Sequence, residues 1–255
     1  MRFLKLIYLL YERFLKRQLA PYQKPHHIGL IVDGNRRFAL ANRLSTRKAG
    51  HMAGSDRLED FLAWCLELGV KIVTLYGFST ENYKRSNEEV EELMSVILNK
   101  FRTLQTNPLI NEENVRIKVI GRRDRFSSEM LDEISKVESL TETHDSFILN
   151  VAIGYGGRAE IVDAVKKIGT QIQENKLSVD DINEELLSNH LYTEGIPDPD
   201  LIIRTSGEER LSGFLIWQSA YSELYFSEVF WPAFRKIDFL RAIRVWQQRH
   251  RRFGK

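Results

Sequence analysis

The sequence contains one cysteine, Cys65, among its 255 residues. A single thiol cannot form an internal disulfide, so the fold must depend on its apolar core, and the chain suits a reducing compartment. The six histidines show no HExxH or CxxC-linked spacing of the kind found in zinc sites. The sequence therefore predicts neither a disulfide framework nor a structural zinc ion.

Net charge and long apolar runs are also scarce. The chain has 37 Lys and Arg against 35 Asp and Glu, a formal charge of +2. This balance argues against nucleic acid as a partner, because proteins that bind nucleic acid usually present a strongly basic face. The apolar run at residues 6–11 is far too short to span a bilayer, and no signal-peptide cleavage pattern follows it. With 43% hydrophobic residues, the chain can bury one full globular core.

Residues 1–22 form a segment distinct from the domain expected at residues 23–255. Apolar residues recur in it at helical spacing, and its cations outnumber the single acid, Glu12. This pattern predicts an amphipathic basic helix, which would lie on a membrane surface or pack against its own domain or a partner subunit. We expect the protein to be cytosolic and to touch the membrane through this helix.

Apolar segments typical of buried strands alternate with helical segments along the remaining chain. Strands are predicted at residues 28–32, 70–78, 115–120, 147–153 and 200–204, and helices at 37–42, 55–68, 87–104, after 128 and at about 158–173. This alternation is typical of a single α/β domain with a mainly parallel central sheet flanked by helices. In such domains ligands bind beyond the carboxyl ends of the strands.

The most informative polar cluster follows the first strand. A turn tripeptide, DGN, occupies residues 33–35. Six basic side chains come shortly after it: Arg36, Arg37, Arg43, Arg47, Lys48 and His51. One carboxylate at a strand end, backbone amides at a helix start and converging cations can hold a metal-bound diphosphate. The same residues also fit an ordinary strand–turn–helix with a solvated basic face.

Three other patterns have simpler interpretations. Residues 154–158, GYGGR, look like a dinucleotide loop, but the GxGxxG spacing fails and no acidic partner for a ribose follows. Asp180 and Asp181 follow Ser178 as helix-capping residues would, and no DDxxD motif extends them into a magnesium site. The apolar stripe between Val90 and Leu104 is typical of core packing, or of the wall of a lipid-sized cavity.

Three stretches together resemble one family. They are DGNRRFA with the following RKAGH (residues 33–39 and 47–51), LYGFSTENYKR (75–85) and DLIIRTSGEERLSGFLIWQSAYSELYF (200–226). In order and spacing they are similar to the signature regions of cis-prenyltransferases, the group of undecaprenyl and dehydrodolichyl diphosphate synthases. The resemblance runs from about residue 26 to the end of the chain.

The resemblance implies an enzyme that condenses isopentenyl diphosphate with an allylic prenyl diphosphate, such as farnesyl or geranylgeranyl diphosphate. The product would be a polyprenyl diphosphate with cis double bonds. It also implies Mg²⁺ as cofactor and a homodimer as the assembly. The family fold is a single α/β domain with about six strands and an apolar product tunnel, and the helix at residues 87–104 would form one tunnel wall.

The resemblance assigns roles to individual positions. The catalytic positions are Asp33, Asn35, His51 and Asn82, and the carboxylates associated with magnesium are Asp33 and Glu223. The substrate-binding positions are Gly34, Arg36, Arg37, Phe38, Arg47, Ser79, Tyr83, Arg85, Arg204, Arg210 and Ser212. The last three match the site of isopentenyl diphosphate.

The sequence leaves three alternatives open. A different metal-dependent phosphoryl enzyme would use Asp33 as nucleophile or ligand, but it would need a second acidic cluster at a strand end and a lysine over the phosphate, and the sequence shows no clear pair. A non-catalytic subunit of a heteromeric prenyltransferase would share the fold but lose site residues, whereas Asp33, His51 and Arg204 are all present here. An enzyme that uses another prenyl acceptor would share the chemistry. Arg36 stands where many bacterial members have glycine, and Phe38 where Trp or Tyr is common, so product length and starter preference stay open.

Overall fold

Strands and helices alternate along most of the chain. The computed structural model describes residues 2–250, with side chains for residues 6–249. Residue 1 of the predicted segment 1–22 and residues 251–255 of the predicted domain 23–255 lie outside the described residues. The elements are α1 (Arg2–Leu19), β1 (His27–Ile31), α2 (Asn35–Ala41), α3 (Arg47–Leu68), β2 (Ile72–Ser79), α4 (Asn87–Leu104), α5 (Pro108–Glu112), β3 (Val115–Ile120), α6 (Ser128–Leu140), β4 (Phe147–Tyr155), α7 (Gly157–Gln173), α8 (Glu184–Ser188), β5 (Leu201–Arg204), β6 (Glu223–Phe226) and α9 (Lys236–His250). Short 3₁₀ helices occupy Thr80–Lys84, Val179–Asp181 and Trp231–Ala233.

Within the described chain the strands form one six-stranded sheet in the order β3-β4-β2-β1-β5-β6. Every pairing is parallel, so the predicted α/β class is confirmed. β1 is buried along its length and has β2 on one side and β5 on the other. The loops that follow β1 and β5 therefore leave in different directions, and open α/β sheets bind ligands at such a switch point.

The sheet carries apolar side chains on both faces. Leu30 of β1 packs with α3, α4 and α9 in the larger core, whereas its neighbour Ile31 packs with Tyr76, Tyr155 and Phe214 on the opposite face. The first face supplies most of the buried volume. The second face is covered by the chain that follows β5, which brings that loop next to the carboxyl end of β2.

α3 begins eight residues before the predicted start at residue 55. The Thr46 side chain caps it by accepting a hydrogen bond from the Ala49 backbone N–H at 3.1 Å. The first turns of α3, RKAGHMAG, contain two glycines and only one large apolar side chain, so apolar periodicity could not reveal that they are helical. The early start places Arg47 and His51 one turn apart on the same face of the helix.

α1 packs against α9 rather than standing apart from the domain. Leu15 and Leu19 are fully buried, and the Arg241 guanidinium of α9 lies over the Tyr11 ring at 5.2 Å. Five apolar side chains on the remaining surface stay about half exposed: Leu6, Ile7, Leu9, Leu10 and Phe14. None of the described helices is long and apolar enough to cross a membrane.

The sequence analysis did not predict β6 or α9. β6 has only four residues, which is too short for a clear alternating pattern. α9 is a regular helix whose Phe239, Ile243 and Trp246 are buried in the larger core. Together these elements close the sheet beyond β5.

His27, Thr74 and Asn150 form a buried polar line across β1, β2 and β4. The Pro197 carbonyl can only accept, so His27 Nδ1 donates to it at 2.6 Å, and Nε2 accepts from the Thr74 hydroxyl at 2.8 Å. Asn150 Nδ2 donates to the same hydroxyl at 3.1 Å. Burial lowers the pKa of His27 to about 4, so the ring is neutral at physiological pH.

We expect His27 to make the protein less stable in acid. The unfolded histidine binds a proton near pH 6.5 but the folded one only near pH 4, so the free energy of unfolding falls as the pH drops through this window. The full shift corresponds to about 3 kcal/mol. His27→Gln cannot titrate, so its stability deficit relative to the wild type should shrink by that amount between pH 7 and 4, as urea unfolding would measure. A deficit that does not change with pH would contradict a neutral, buried His27.

Candidate active site

A cleft of about 1010 Å³ opens at the carboxyl edge of the sheet. It lies between the ends of β1, β2 and β5 and the starts of α2 and α7. Most residues predicted for the site line it: Asp33, Gly34, Asn35, Arg36, Arg37, His51, Ser79, Asn82, Arg85, Arg204, Arg210 and Ser212. The parallel sheet therefore gathers three distant stretches of sequence at one place.

Asp33 lies just beyond the end of β1 and presents its carboxylate to the cleft. Thr205 fixes the backbone, since its hydroxyl accepts from the Asp33 N–H at 3.0 Å and donates to the Asp33 carbonyl at 2.7 Å. The Gly34 N–H donates to Oδ1 at 2.7 Å. The side chain is 32% exposed, so the carboxylate is accessible from the cleft.

Gly34 is required by the turn that presents Asp33. Its φ is 98°, and a Cβ at this position would lie 2.8 Å from the Phe230 ring and 2.9 Å from Ser206 Oγ. Asn35 then starts α2, with its side chain pressed against α3, where a Cβ at Gly54 would collide with Asn35 Oδ1. Gly54 thus allows α3 to approach Asn35 of α2 closely.

Arg204 joins three parts of the cleft through one guanidinium group. It ends β5 and is only 4% exposed. Nη2 donates to Asp33 Oδ2 at 2.8 Å, while Nη1 donates to Ser212 Oγ at 2.9 Å and to the Arg210 carbonyl oxygen. The buried cation therefore pairs with Asp33 and holds the loop at residues 210–212.

Asn35 and His51 bring buried polar atoms to the inner end of the cleft. Asn35 Oδ1 and His51 Nε2 have no hydrogen-bond partner among the described residues. Burial, together with the positive charge of Arg85, lowers the pKa of His51 to about 4, so its ring is neutral at physiological pH. Buried polar atoms are normally paired, which makes these two candidates for direct contact with a substrate.

Ser79 and Asn82 shape the turn at the end of β2. Asn82 Oδ1 accepts from the Ser79 N–H at 2.9 Å, and Ser79 Oγ accepts from the Asn82 N–H at 3.2 Å. This reciprocal cap stabilises the 3₁₀ helix that leads to Arg85. Both residues line the cleft, and the two hydrogen bonds between them hold the turn in position.

Glu89 is a site residue that the sequence analysis did not single out. It is 4% exposed in the first turn of α4 and contacts three arginines: Arg85 Nη1 at 2.8 Å, Arg36 Nη1 at 3.2 Å and Arg47 Nη1 at 3.9 Å. Its spacing after Ser86 is a helix-capping pattern, and Ser86 Oγ does accept from the Glu89 N–H. The capping pattern therefore hid the role of the carboxylate, which gathers cations from α2, α3 and the turn before α4.

Glu208 is a second acidic residue that sequence reasoning missed. Its carboxylate accepts from Arg37 Nη1 at 3.1 Å and also contacts Arg210. Arg210, and Arg37 beyond it, hold the pKa of Glu208 below its usual value. Because Arg37 also lies 3.7 Å from Asp33 Oδ1, this carboxylate links the loop after β1 with the loop after β5. Its position between Arg204 and Arg210 in RTSGEER was the only signal in the sequence.

Three predicted substrate-binding residues are not among the described residues that line the cleft: Phe38, Arg47 and Tyr83. Tyr83 instead packs edge-on against Phe78 with ring centroids 4.8 Å apart, and Arg125 lies 5.0 Å from its ring. Successive side chains diverge strongly in a 3₁₀ helix, so Tyr83 faces away from the side that carries Asn82. Arg47 contacts Glu89, with Nη1 3.9 Å from a carboxylate oxygen, and Phe38 is half-buried on α2.

Glu223 lies at the other end of its strand from the cleft. It begins β6 opposite Leu201, whereas Arg204 is opposite Phe226. Three residues of strand span roughly 10 Å, and the Glu223 carboxylate pairs with Arg249 of α9 at 2.9 Å. Within the described chain Glu223 therefore lies away from Asp33, and its assignment as a metal-associated carboxylate stays a prediction.

Asp33 is the carboxylate best placed to meet a cation in the cleft. Among residues 6–249, no group of three His, Cys, Asp or Glu side chains could hold a metal ion by itself. Mg²⁺ is commonly held by one or two carboxylates together with phosphate oxygens of the substrate. The accessible Asp33 carboxylate therefore fits a magnesium ion that binds together with a diphosphate.

An apolar cavity of about 110 Å³ adjoins the inner end of the cleft, between α3, α4 and the sheet. Asn35 and His51 line both spaces. Leu93, Ile97 and Phe101 of the predicted α4 stripe line the cavity as well as contributing to the core. A ligand with a charged head and an apolar chain would therefore pass Asn35 and His51 where the two parts join.

Comparisons with known proteins cover nearly the whole chain. A family model described as "Putative undecaprenyl diphosphate synthase" matches residues 31–254. A "Tritrans,polycis-undecaprenyl-diphosphate synthase (geranylgeranyl-diphosphate specific)" from Pyrococcus abyssi is 51% identical over 253 residues, which cover 99% of this chain and 96% of that protein. An "Isoprenyl transferase" from Thermus thermophilus is 52% identical over 253 residues, with 98% and 96% covered.

Solved structures show the same likeness. Lavandulyl diphosphate synthase from Lavandula x intermedia, in complex with dimethylallyl diphosphate, has a TM-score of 0.86 and 33% identity, and the match covers 91% of this chain and 99% of that one. The similarity thus extends to the arrangement of strands and helices.

Proposed function

The chain belongs to the undecaprenyl diphosphate synthase family of cis-prenyltransferases, and we propose that its cleft and apolar cavity together form the active site. It is an enzyme that condenses isopentenyl diphosphate with an allylic prenyl diphosphate to give a polyprenyl diphosphate with cis double bonds. The observation that carries the site assignment is that Asn35 and His51 line both a basic cleft and an apolar cavity. A prenyl diphosphate has the same two parts, an anionic head and an apolar chain.

The allylic diphosphate would bind near the start of α2. Arg36, Arg37 and Arg85 line this side of the cleft, where α2 begins at Asn35, and the first backbone amides of a helix lack partners within the helix. Arginine suits diphosphate oxygens because its planar fork can donate two hydrogen bonds at once. From there the prenyl chain would pass Asn35 and His51 into the apolar cavity, whose α4 side would form one tunnel wall.

Isopentenyl diphosphate would bind at the end of β5. Arg204 is held by Asp33 and Ser212, and Arg210 extends from the adjoining loop into the cleft. This assignment places the two diphosphates on either side of Asp33. It also places Glu208, which contacts both Arg37 and Arg210, between them.

We propose that the enzyme uses Mg²⁺ bound at Asp33. When bound, the ion would neutralise charge on the departing diphosphate and make it a better leaving group. The arginines support the same departure from fixed positions. Because Arg204 already pairs with Asp33, the carboxylate is oriented before any substrate arrives.

The reaction forms one carbon–carbon bond as the allylic carbon–oxygen bond breaks, and one proton then leaves the new unit. We assign Asn35 and His51 to this step because Oδ1 and Nε2 have no partner among the described residues and lie where head and chain would join. The neutral His51 ring can accept a hydrogen bond or a proton. The apolar cavity keeps water from the cation-like allylic carbon.

Mass spectrometry of reaction products tests the proposal. Purified protein would be incubated with Mg²⁺, isopentenyl diphosphate and either geranylgeranyl or farnesyl diphosphate. We expect a ladder of products that rises by five-carbon units and needs Mg²⁺. No elongation from either starter would favour another prenyl acceptor or a subunit that needs a catalytic partner, two of the alternatives that the sequence left open.

We propose that the enzyme works as a homodimer through the β6 edge of its sheet. β6 is the last strand in the sheet order and its residues are only half-buried. Tyr221, just before it, is 98% exposed. Light scattering of the wild-type protein should give twice the mass of one chain. Tyr221→Arg should reduce the measured mass toward that of one chain. A wild-type protein with the mass of one chain would reject the dimer.

We propose that α1 touches a membrane surface with the apolar side chains that it leaves exposed. Leu6, Ile7, Leu10 and Phe14 lie on this surface, and Arg13 and Arg17 are exposed on the same helix. An amphipathic basic helix of this kind can bury apolar side chains among lipids while its cations meet anionic head groups.

Replacing both Leu10 and Phe14 with glutamate should weaken binding to vesicles that contain anionic lipid by at least about tenfold, because two large apolar side chains lose their burial. Vesicle flotation measures the bound fraction. Leu140→Glu, at a similarly exposed apolar position on α6, is the control and should bind like the wild type. Equal binding of all variants would reject the membrane role. Deleting residues 1–20 would be a poorer test, because it removes the buried Leu15 and Leu19 from the core.

A further inference from the structure

A bulge near the end of β2 sets Tyr76 apart from its neighbours. Tyr76 pairs with Ala152 of β4, but the next pair is Phe78 with Ile153, so Gly77 is an extra residue. Phe78 consequently joins the larger core, while Tyr76 is the last side chain of β2 in the cluster on the opposite face. Bulges often redirect side chains beside active sites, and Tyr76 lines the cleft.

Both the ring and the hydroxyl of Tyr76 contact the loop that follows β5. The ring stacks on Phe214, with centroids 4.7 Å apart and an interplanar angle of 19°. The hydroxyl donates to the Ser212 carbonyl oxygen at 3.1 Å and lies 3.5 Å from the Tyr155 carbonyl oxygen. Burial raises the pKa of Tyr76, so the phenol keeps its proton and remains a donor.

The loop that Tyr76 contacts has a backbone that requires support. Ser212 has a φ of 51°, Gly213 of 78° and Leu215 of 44°. Left-handed backbone is unfavourable for residues other than glycine, and it persists where surrounding contacts hold it. The hydrogen bond from Tyr76 to Ser212, and one from the Gly157 N–H to the Gly213 carbonyl at 2.8 Å, hold this loop from the α7 side of the sheet.

We propose that Tyr76 is a positioning residue for the isopentenyl diphosphate end of the cleft. By holding the Ser212 carbonyl, Tyr76 fixes Ser212 Oγ, which accepts from Arg204 Nη1 at 2.9 Å. Arg204 then keeps its orientation between Ser212 and Asp33, with Nη2 2.8 Å from Asp33 Oδ2. The inference rests on the proposed assignment of Arg204, Arg210 and Ser212 to isopentenyl diphosphate. Tyr76 acts through these residues and need not touch the substrate.

Tyr76→Phe tests the proposal because it keeps the stacked ring and removes only the hydroxyl. We expect the KM for isopentenyl diphosphate to rise roughly tenfold, the effect of one lost hydrogen bond. The kcat and the KM for the allylic diphosphate should change by less than about twofold, because the start of α2 is untouched. Steady-state kinetics, with each substrate varied at saturating concentrations of the other, measures the three constants.

Tyr155→Phe is the matched control. Tyr155 lies in the same aromatic cluster, with its ring 5.9 Å from that of Tyr76, but its hydroxyl donates to the buried Glu160. Its loss should lower the melting temperature and leave the KM for isopentenyl diphosphate unchanged. If Tyr76→Phe leaves this KM unchanged, or if both variants raise it equally, Tyr76 serves only in packing and the proposal is overturned.

Arg210→Ala separates the failure of this inference from failure of the site assignment. If Arg210→Ala and Tyr76→Phe both raise the KM for isopentenyl diphosphate selectively, the assignment and the inference both stand. If only Arg210→Ala does so, the inference alone fails. If Arg210→Ala leaves that KM unchanged, the loop after β5 does not bind isopentenyl diphosphate, and the assignment and the inference fail together.

Discussion

Asp33→Ala should lower turnover by roughly a thousandfold, because loss of a charge worth several kcal/mol to the transition state changes the rate by about this factor. Asp33 presents an accessible carboxylate to the cleft at the end of β1, and its backbone is fixed by Thr205. Without it, Mg²⁺ would lose its proposed protein ligand beside the departing diphosphate. Arg204 would also lose its ion-pair partner. Product formation at saturating Mg²⁺ and saturating substrates is the measurement.

Two further variants sharpen this test. Asp33→Asn keeps the shape but not the charge, so it should be nearly as inactive as Asp33→Ala and should retain the far-ultraviolet spectrum of the wild type. Asp124 is an exposed aspartate in the loop that follows β3 at the same edge of the sheet, and Asp124→Ala should keep wild-type turnover. Substantial activity of Asp33→Asn at high Mg²⁺ would reject the proposed metal position.

Arg204→Ala should reduce kcat/KM for isopentenyl diphosphate by roughly a thousandfold, since truncating one partner of a buried, hydrogen-bonded charge pair costs several kcal/mol. The guanidinium is 4% exposed and serves Asp33, Ser212 and the Arg210 carbonyl at once. Its removal leaves Asp33 without this partner and the loop at residues 210–212 without its inner support. Kinetics with isopentenyl diphosphate varied at saturating allylic diphosphate gives the ratio.

Arg204→Lys shows whether charge alone is sufficient. A lysine ammonium is a point charge on a flexible stem and cannot reproduce contacts that diverge from two nitrogens. We therefore expect this variant to lose at least about tenfold in kcat/KM for isopentenyl diphosphate. Arg122 is a suitable control because it makes a bidentate pair with Asp163, at 2.8 and 2.7 Å, outside the cleft lining. Arg122→Ala should leave kcat/KM unchanged. A fully active Arg204→Lys variant would show that the fork geometry is not needed.

The carboxylates around the cleft explain how it can hold so many arginines. Glu89 lies among Arg36, Arg47 and Arg85, and Glu208 contacts Arg37 and Arg210. Each guanidinium has five N–H donors, so these contacts leave donors for a substrate. Mutual repulsion between the cations is reduced while their positions are fixed, which lowers the reorganisation required when a diphosphate binds.

The amino-acid sequence by itself determined the features that depend on neighbouring residues. Buried apolar strands, the DGN turn and the cations after it are local patterns, and their alternation with helices predicted the parallel sheet that the structure confirms. Because the carboxyl ends of parallel strands share one edge, the sequence also predicted that residues near Asp33, Asn82 and Arg204 converge there. The order and spacing of the motifs were sufficient to identify the family.

Only the tertiary structure decided which side chains meet. Glu223 belongs to the last signature stretch, yet the register of β6 against β5 places it about three residues below the cleft edge. Glu89 looked like a capping residue until the packing of α4 brought it to three arginines, and Tyr76 looked like an ordinary strand residue until the bulge at Gly77 was known. Strand order, register and helix packing arise from contacts between residues far apart in the chain, which periodicity and spacing do not record.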